Sequence, residues 1–424
     1  MADSVLTRKA AVLKNIFQGY EGPAFAVRLW DGWQWSSSTN DKTICTLSIA
    51  NPKTLASLVA TPDEVSLGEA FIRGDLDVDG DLFSAFQIAE HLFNRPRTPA
   101  RQIAQRTAAI AFGLEQWFRH GALNSKKRDR ASISYHYDLP VDFYEPWLGN
   151  TLAYSCAYFN NSNDALDAAQ QQKLDLVCRK LRLKAGEHFL DIGCGWGSLV
   201  LHAACRHHAK AEGLTLSREQ AAVGKRRIDA ANMRDCCNIE LRDYRELDSA
   251  GQAYDKMASI GMFEHVGLKN LPLYFGIAYR ILRPGGLFLN HGIARTDLSP
   301  MRSRSFIGQY VFPDGQLVTL SQALAAAESR GFEVRDVENL REHYDLTLRQ
   351  WVERLRQHAE TLLQHVPNTT YRIWLLYMAG SAAAFRRGDI AVYQTLLSSP
   401  DKGKSDVPLT RADLYSARPV QRQA

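Results

Sequence analysis

An acid and three glycines at alternate positions, Asp191, Gly193, Gly195 and Gly197 in LDIGCGWGSL, have the spacing best suited to holding a ligand. Residues without side chains let the backbone press against a bound molecule, and an acid at a strand end adds a polar anchor. Two elements must position them. Residues 188–192 form a short apolar run that reads as a buried strand, and 199–204 begins a helix. The helix N-terminus faces the same place and favours a ligand with a polar or anionic end. A dinucleotide fingerprint would need a third glycine where Ser198 stands, and no Gly-Lys-Ser or Gly-Lys-Thr follows to make a phosphate-gripping loop. A tight strand-helix turn with no ligand would use the same glycines, so the flanking residues must decide.

The 424 residues suggest two domains, and 45% hydrophobic with 23% charged residues is ordinary for a globular protein. No apolar run approaches the length of a membrane span, and the N-terminus is amphipathic without a signal peptide's apolar region. The expected location is therefore the cytosol or the inner face of the cytoplasmic membrane. Seven cysteines (45, 156, 178, 194, 205, 236 and 237) make no C-x-x-C pair. That predicts reduced thiols and no metal centre or iron–sulfur cluster. The net charge of +5 is concentrated: residues 95–130 hold nine Lys or Arg against Glu115 and Asp129, with Phe112, Trp117 and Phe118 interleaved. A solvated helix face, an anionic lipid surface and nucleic acid are the three partners such a stretch could meet.

Residues 1–94 read as a small α+β domain. It opens with a hairpin at 25–35 around Asp31-Gly32, a third strand at 43–49, and a helix entered at Asn51-Pro52. The acid-rich stretch 66–86 fails the calcium-loop spacing and reads as turns leading into a helix. Residues 95–130 form a basic helical connector. From 131 to 398 short strands alternate with helices: strands at 188–192, 210–214, 237–241, 254–260, 287–290 and 333–340, with a turn at 283–286. Helices are expected at 217–231, 271–282, 320–331, 346–363 and 371–397. This is the pattern of an α/β, Rossmann-like, doubly wound parallel sheet with added helices, whose ligands sit at the strands' C-terminal ends. Residues 399–424 read as a polar, disordered tail.

The glycine turn resembles motif I of class I S-adenosylmethionine-dependent methyltransferases. Six segments in order, YHYD (135–138), LGNTLAYSCAYF (148–159), LDIGCGWGSL (190–199), GLTLSREQ (213–220), GMFEHVG (261–267) and AFRRGDI (384–390), carry a more specific resemblance. They are similar to the cyclopropane-fatty-acyl-phospholipid synthase family, which includes the mycolic acid cyclopropane synthases. The resemblance covers about 66–397 and is closest over 131–350. It implies a cofactor set of Tyr154, Ser155, Asp191, Gly193, Gly195, Gly197, Thr215, Gln220, Tyr244, Arg245 and Ile260. Thr215 stands where most class I methyltransferases place a ribose-binding acid. That departure speaks against nucleic-acid methyltransferases, as does the lack of an Asn/Asp-Pro-Pro-Tyr or Pro-Cys motif after the fourth strand.

The activity implied is transfer of a methyl from S-adenosylmethionine to the cis alkene of an acyl chain, followed by closure of a cyclopropane ring. Methylating an alkene leaves a carbocation, so the site must exclude water, stabilise the cation and remove a proton from the new methyl. In the family the base is a bound bicarbonate. Its holders carry over as Cys156, Glu264, His291, the backbone at Ile293, and Tyr344. Each has a plain alternative as a buried thiol, a helix cap, a structural histidine or a core tyrosine. Their coincidence within matched motifs favours the site. Ser381 replaces a cysteine of the family pattern, which excludes a thiolate mechanism there. The expected partners are unsaturated phospholipid acyl chains and an anionic membrane surface on which 95–130 and the N-terminal domain 1–94 dock, with nucleic acid disfavoured and a homodimer compatible. The rival readings are a fatty-acid methyltransferase that stops at a methyl or methylene branch, and a lipid-binding protein with a vestigial site.

Overall fold

The computed structural model describes residues 2–60, 63–93, 139–247, 254–297, 305–312, 316–405 and 407–415, which divide into two compact units. The basic connector 95–130 and the YHYD motif at 135–138 lie outside the described residues.

The first unit contains the described residues up to 93, the segment 305–312 and Val352–Ala384. Strand β1 (Phe25–Arg28) pairs antiparallel with β2 (Gln34–Ser36) and parallel with β3 (Cys45–Ile49), and β3 pairs antiparallel with β4 (Leu76–Gly80). Alternate residues of β3 turn inward, so Cys45, Leu47 and Ile49 join Phe25, Val27 and, from the N-terminal helix Ala2–Ile16, Leu13 and Ile16 in one core. The stretch 66–86 is not a run of turns. It contains the end of helix Glu64–Arg73, capped by Asp63 and closed by Gly74 at φ 77°, then β4, then helix Leu82–Phe93. Acids at alternate positions concealed β4, because Asp is a poor strand former unless it lies on the solvated face. Here Leu76 and Val78 pack on the core, while Asp77 accepts from Arg372 at 3.1 Å and Asp79 pairs with Arg28.

The second unit holds a seven-stranded sheet ordered β10-β11-β9-β8-β5-β6-β7. Its strands are β5 (His188–Ile192), β6 (Lys210–Thr215), β7 (Cys237–Leu241), β8 (Tyr254–Ile260), β9 (Leu282–Arg295), β10 (Glu333–Asn339) and β11 (Ile390–Ser398). Five are parallel, as the βα alternation implies. Helices Leu166–Lys180, Ser198–His207 and Arg218–Ala230 contribute to one core cluster, and Leu271–Ile281 and Leu320–Glu328 to another.

Two expectations about this sheet need correcting. The region 371–397 is not one helix: helix Asn368–Arg387 ends, Gly388 turns at φ 82°, and β11 enters the sheet antiparallel between β9 and β10. The run IAVYQTLLS is buried on both sides, so it shows no alternation, and it follows a helix without a proline to mark the change. Likewise β9 begins at Leu282, ahead of the expected strand 287–290, and the turn expected at 283–286 lies inside it as an irregularity: Tyr254 pairs with Leu282 and Lys256 with Leu287, and Gly285 has φ 79°. The segments 305–312 and Val352–Ala384 group with the N-terminal unit. The described part of the C-terminal segment is ordered. Leu414 is buried, Arg411 pairs with Asp336 at 2.5 Å, and Asp413 with Arg182 at 3.0 Å.

Candidate functional site

The glycine turn forms where β5 ends. Gly193, Gly195 and Gly197 all have positive φ, 83°, 54° and 81°, a backbone that residues with a Cβ adopt at a cost of about 1–2 kcal/mol each. The N–H groups of Gly193 and Cys194 both donate to the Leu214 carbonyl at 2.9 Å, which ties the turn to β6. A Cβ on Gly195 would point into open space at the pocket, whereas one on Gly197 would lie 2.5 Å from Ile239 Cδ1. Gly195 therefore leaves room for a ligand and Gly197 leaves room for the core.

A pocket opens above this turn. Ten of the expected cofactor residues line it: Tyr154, Ser155, Asp191, Gly193, Gly195, Thr215, Gln220, Tyr244, Arg245 and Ile260. Gly197 does not; it starts the helix behind the turn. Thr215 and Gln220 meet directly, the threonine hydroxyl donating to Gln220 Oε1 at 2.7 Å. Arg245 pairs with buried Asp243 at 2.7 Å, which fixes the Tyr244–Arg245 wall. Asp191 is 3% exposed, its Oδ1 has no hydrogen-bond partner among the described residues, and burial pushes its carboxyl up to about 7.

Sequence reasoning passed over two residues of helix Leu166–Lys180. Gln170 is fully buried and donates to the carbonyls of Ala153 (3.2 Å) and Ser155 (2.9 Å). Lys173 is 2% exposed, lines the pocket and donates to Ser155 Oγ at 2.9 Å. Burial pulls its ammonium down to about 8, opposed by Cys156 and Asp191. Together they hold the 153–156 segment in shape. The available signal was two polar residues on the inward stripe Gln170, Lys173, Leu174, Val177 of an amphipathic helix.

The five residues expected to hold a base do not line this pocket; they lie behind and beside its wall. Ile260, on the wall, pairs with His291 across β8 and β9, and the N–H of Gly261 donates to the His291 carbonyl at 2.9 Å. Two residues along β9, Ile293 donates its N–H to Glu264 Oε1 at 2.7 Å. The next strand places Val392 opposite Ile293, and Leu340 donates its N–H to the Val392 carbonyl at 2.8 Å. The thiol of fully buried Cys156 lies 3.8 Å from the Leu340 carbonyl. A single lateral line across β9 and β11 thus runs from Glu264 to Cys156. Tyr344, one turn into the helix after Leu340, contacts Trp351 at 6.1 Å between ring centroids, and Trp351 contacts Tyr154 at 5.4 Å.

The electrostatics of this second region are those of a dry polar site. Burial raises Glu264 to about 7, partly offset by the Ile293 N–H, and its Oε2 is buried without a partner among the described residues. His291 is 1% exposed, and burial with the nearby ammonium groups of Lys173 and Lys180 lowers it to about 3, so the ring is neutral. The Gln394 amide lies 3.2 Å from its Nδ1; with that N–H donating, the ring proton sits on Nε2, which is also buried without a partner. Burial raises the Cys156 thiol, so it is protonated and a donor. Among the described residues, then, an unfilled carboxylate oxygen and an unfilled imidazole nitrogen lie within this buried region. Such atoms cost stability unless a ligand completes them.

The fold and the glycine-turn pocket define a Rossmann-like class I methyltransferase that uses S-adenosylmethionine. Residues 124–395 match the family model described as mycolic acid cyclopropane synthetase, and the chain belongs to that family. It is 40% identical over 394 residues to a "Probable fatty acid methyltransferase" of Pseudomonas putida, covering 92% of this chain and 95% of that one. It is 34% identical over 337 residues to the cyclopropane-fatty-acyl-phospholipid synthase of Escherichia coli K12, covering 79% and 83%. The crystal structure of mycolic acid cyclopropane synthase CmaA1 with SAH and CTAB is 31% identical and matches with a TM-score of 0.60 over 63% of this chain and 97% of that one.

Proposed function

We propose that the protein transfers a one-carbon unit from S-adenosylmethionine to the cis double bond of an unsaturated acyl chain in a membrane phospholipid, forming a cyclopropane ring. The observation that carries this reading is the buried pair of unfilled polar atoms, Glu264 Oε2 and His291 Nε2, joined to the cofactor wall through β8 and β9.

In the first step an alkene carbon bonds to the sulfonium methyl as the sulfur–carbon bond breaks, leaving S-adenosylhomocysteine and a carbocation on the chain. In the second, the new methyl loses a proton and its electron pair closes the ring. Asp191 and the Ser155 segment hold the donor, and Thr215 and Gln220 face its other end. Tyr344 and the rings linked to it can stabilise the cation, at about 2 kcal/mol when desolvated.

Bicarbonate fits the second region chemically. It needs a donor, which the unfilled His291 Nε2–H can supply with the Cys156 thiol beside it, and an acceptor for its own hydroxyl, which the unfilled Glu264 Oε2 can supply; the Ile293 N–H holds the other Glu264 oxygen. When bound it supplies the base that takes the methyl proton. Glu264 orients it, and burial keeps water from capturing the cation. The docking surface is the basic stretch 95–130, whose charge and aromatic residues suit an anionic bilayer. Among the described residues no helix is long and apolar enough to cross a membrane.

A second reading, transfer that ends in a methyl or methylene branch, is favoured by the extent and identity of the match to the "Probable fatty acid methyltransferase" of Pseudomonas putida. Labelled S-adenosylmethionine offered with unsaturated phospholipid vesicles tests both, since the reading fails if no label enters the lipid.

A further inference from the structure

Away from the pocket, three metal-ligating side chains converge between two helices. Cys178 is in the last turn of helix Leu166–Lys180; His202 and His207 are on helix Ser198–His207. One ligand atom from each lies within 4.8 Å of the other two. Cys178 is fully buried, and His202 Nε2 is buried with no hydrogen-bond partner among the described residues. Asp175, one turn before Cys178, gives one carboxylate oxygen to Arg179 at 2.7 Å and places the other 3.9 Å from His207 Nε2. None of the four lines the cofactor pocket.

We infer that Cys178, His202 and His207 form a binding site for a borderline-soft divalent cation of the zinc type, with Asp175 or water in the fourth position. One thiolate and two imidazoles are the donor set that favours such an ion, and tetrahedral sites draw their ligands from this short a range. An unfilled buried imidazole nitrogen beside a thiol is otherwise a cost to the fold.

No C-x-x-C spacing marks this cluster because its ligands come from two helices. The ion would join the helix whose Gln170 and Lys173 hold the 153–156 segment to the helix that begins at Gly197. Its role is to fix the floor of the cofactor pocket, with no part in the chemistry.

The full chain, stripped with a chelator and dialysed, is titrated with Co²⁺ and then Zn²⁺. The result expected is one Co²⁺ per chain with a thiolate-to-cobalt charge-transfer band and intense tetrahedral d–d bands, all displaced by Zn²⁺. Cys178→Ala should remove the charge-transfer band. His202→Ala should weaken binding by more than the roughly 10- to 100-fold that outer-shell changes cost. Zn²⁺ should raise the thermal midpoint of the wild-type chain and not of His202→Ala. Substoichiometric binding overturns the site, as does a charge-transfer band that survives in Cys178→Ala, which would assign it to exposed Cys205 or Cys236. If Cys178→Ala does not fold, His202→Ala decides: undiminished binding by that variant is equally fatal.

Discussion

Glu264 and Ile293 are joined by a 2.7 Å bond in which the backbone N–H of β9 donates to Oε1, leaving Oε2 buried and without a partner among the described residues. Glu264→Gln keeps the acceptor that Ile293 uses and turns the unfilled acceptor into a donor. Turnover should fall by about 10²–10⁴, the usual weight of a proton-transfer group, with the KM for S-adenosylmethionine largely unchanged. Initial rates of label transfer measure both, and a variant with full turnover would remove Glu264 from the proton-transfer apparatus.

The same carboxyl makes a prediction about pH. Burial raises Glu264 from 4.5 to about 7 in the fold. A raised folded pKa means the native state holds the proton more tightly, so the stabilisation is present below pH 4.5 and is lost as pH rises through 7. The shift corresponds to roughly 3 kcal/mol. Glu264→Gln, which cannot ionise, should therefore match the wild-type chain's stability at pH 5 and exceed it at pH 8 in urea denaturation. Equal stability at both pH values would show that Glu264 is solvated. Activity should follow the opposite course, rising with pH as the carboxylate forms.

Lys173 gives a prediction of a different kind. Its ammonium holds Ser155 and faces Asp191 from within the same pocket. With Lys173→Met, Asp191 loses the charge that favours its ionised form and the 153–156 segment loses an anchor. Calorimetry should show S-adenosylmethionine affinity reduced at least about tenfold, or roughly 1.4 kcal/mol. Asp191→Asn added to Lys173→Met should cost much less than it does alone. Additive losses would mean that the two residues act separately.

Gly195 and Gly197 should fail differently when changed to alanine. Gly197→Ala must place a Cβ 2.5 Å from Ile239 Cδ1 at φ 81°, so it should destabilise the fold by about 2–5 kcal/mol from backbone strain and overpacking together. Ile239→Val should restore part of that. Gly195→Ala meets open space and should cost the fold only about 1–2 kcal/mol while sharply weakening cofactor binding. Denaturant midpoints and binding titrations separate the two.

Docking on the bilayer is the prediction that rests on charge alone. Vesicle binding should weaken as salt is raised and as neutral lipid replaces anionic lipid. Binding unchanged by both would remove residues 95–130 as an electrostatic anchor.

How much of this was legible beforehand depends on the kind of signal. The strand-glycine-helix unit at 188–207 and the βα series after it could be read, because buried parallel strands and amphipathic helices have different periods. β4 and β11 could not. One alternates with acids, and the other is apolar on both faces and directly follows a helix. The residues around the pocket were found through a family resemblance, which names the positions that touch ligand. Gln170 and Lys173 were missed because they act through Ser155 and Asp191: their place on the inward stripe of the helix marks them as buried but does not say what they hold. The spatial link from Ile260 through His291 and Ile293 to Leu340 depends on strand register, which only the sheet reveals.

The most direct test of the central claim is the structure of the lipid product. A cyclopropane ring and a methylene branch add the same atoms to the alkene, so mass alone does not separate them and proton NMR must. Incubation with S-adenosylmethionine and unsaturated phospholipid should give the high-field methylene signals of a cyclopropane ring, and omission of bicarbonate should suppress them. A product with vinylidene or branched-methyl signals and no ring protons would contradict the account and assign the chain to branch formation.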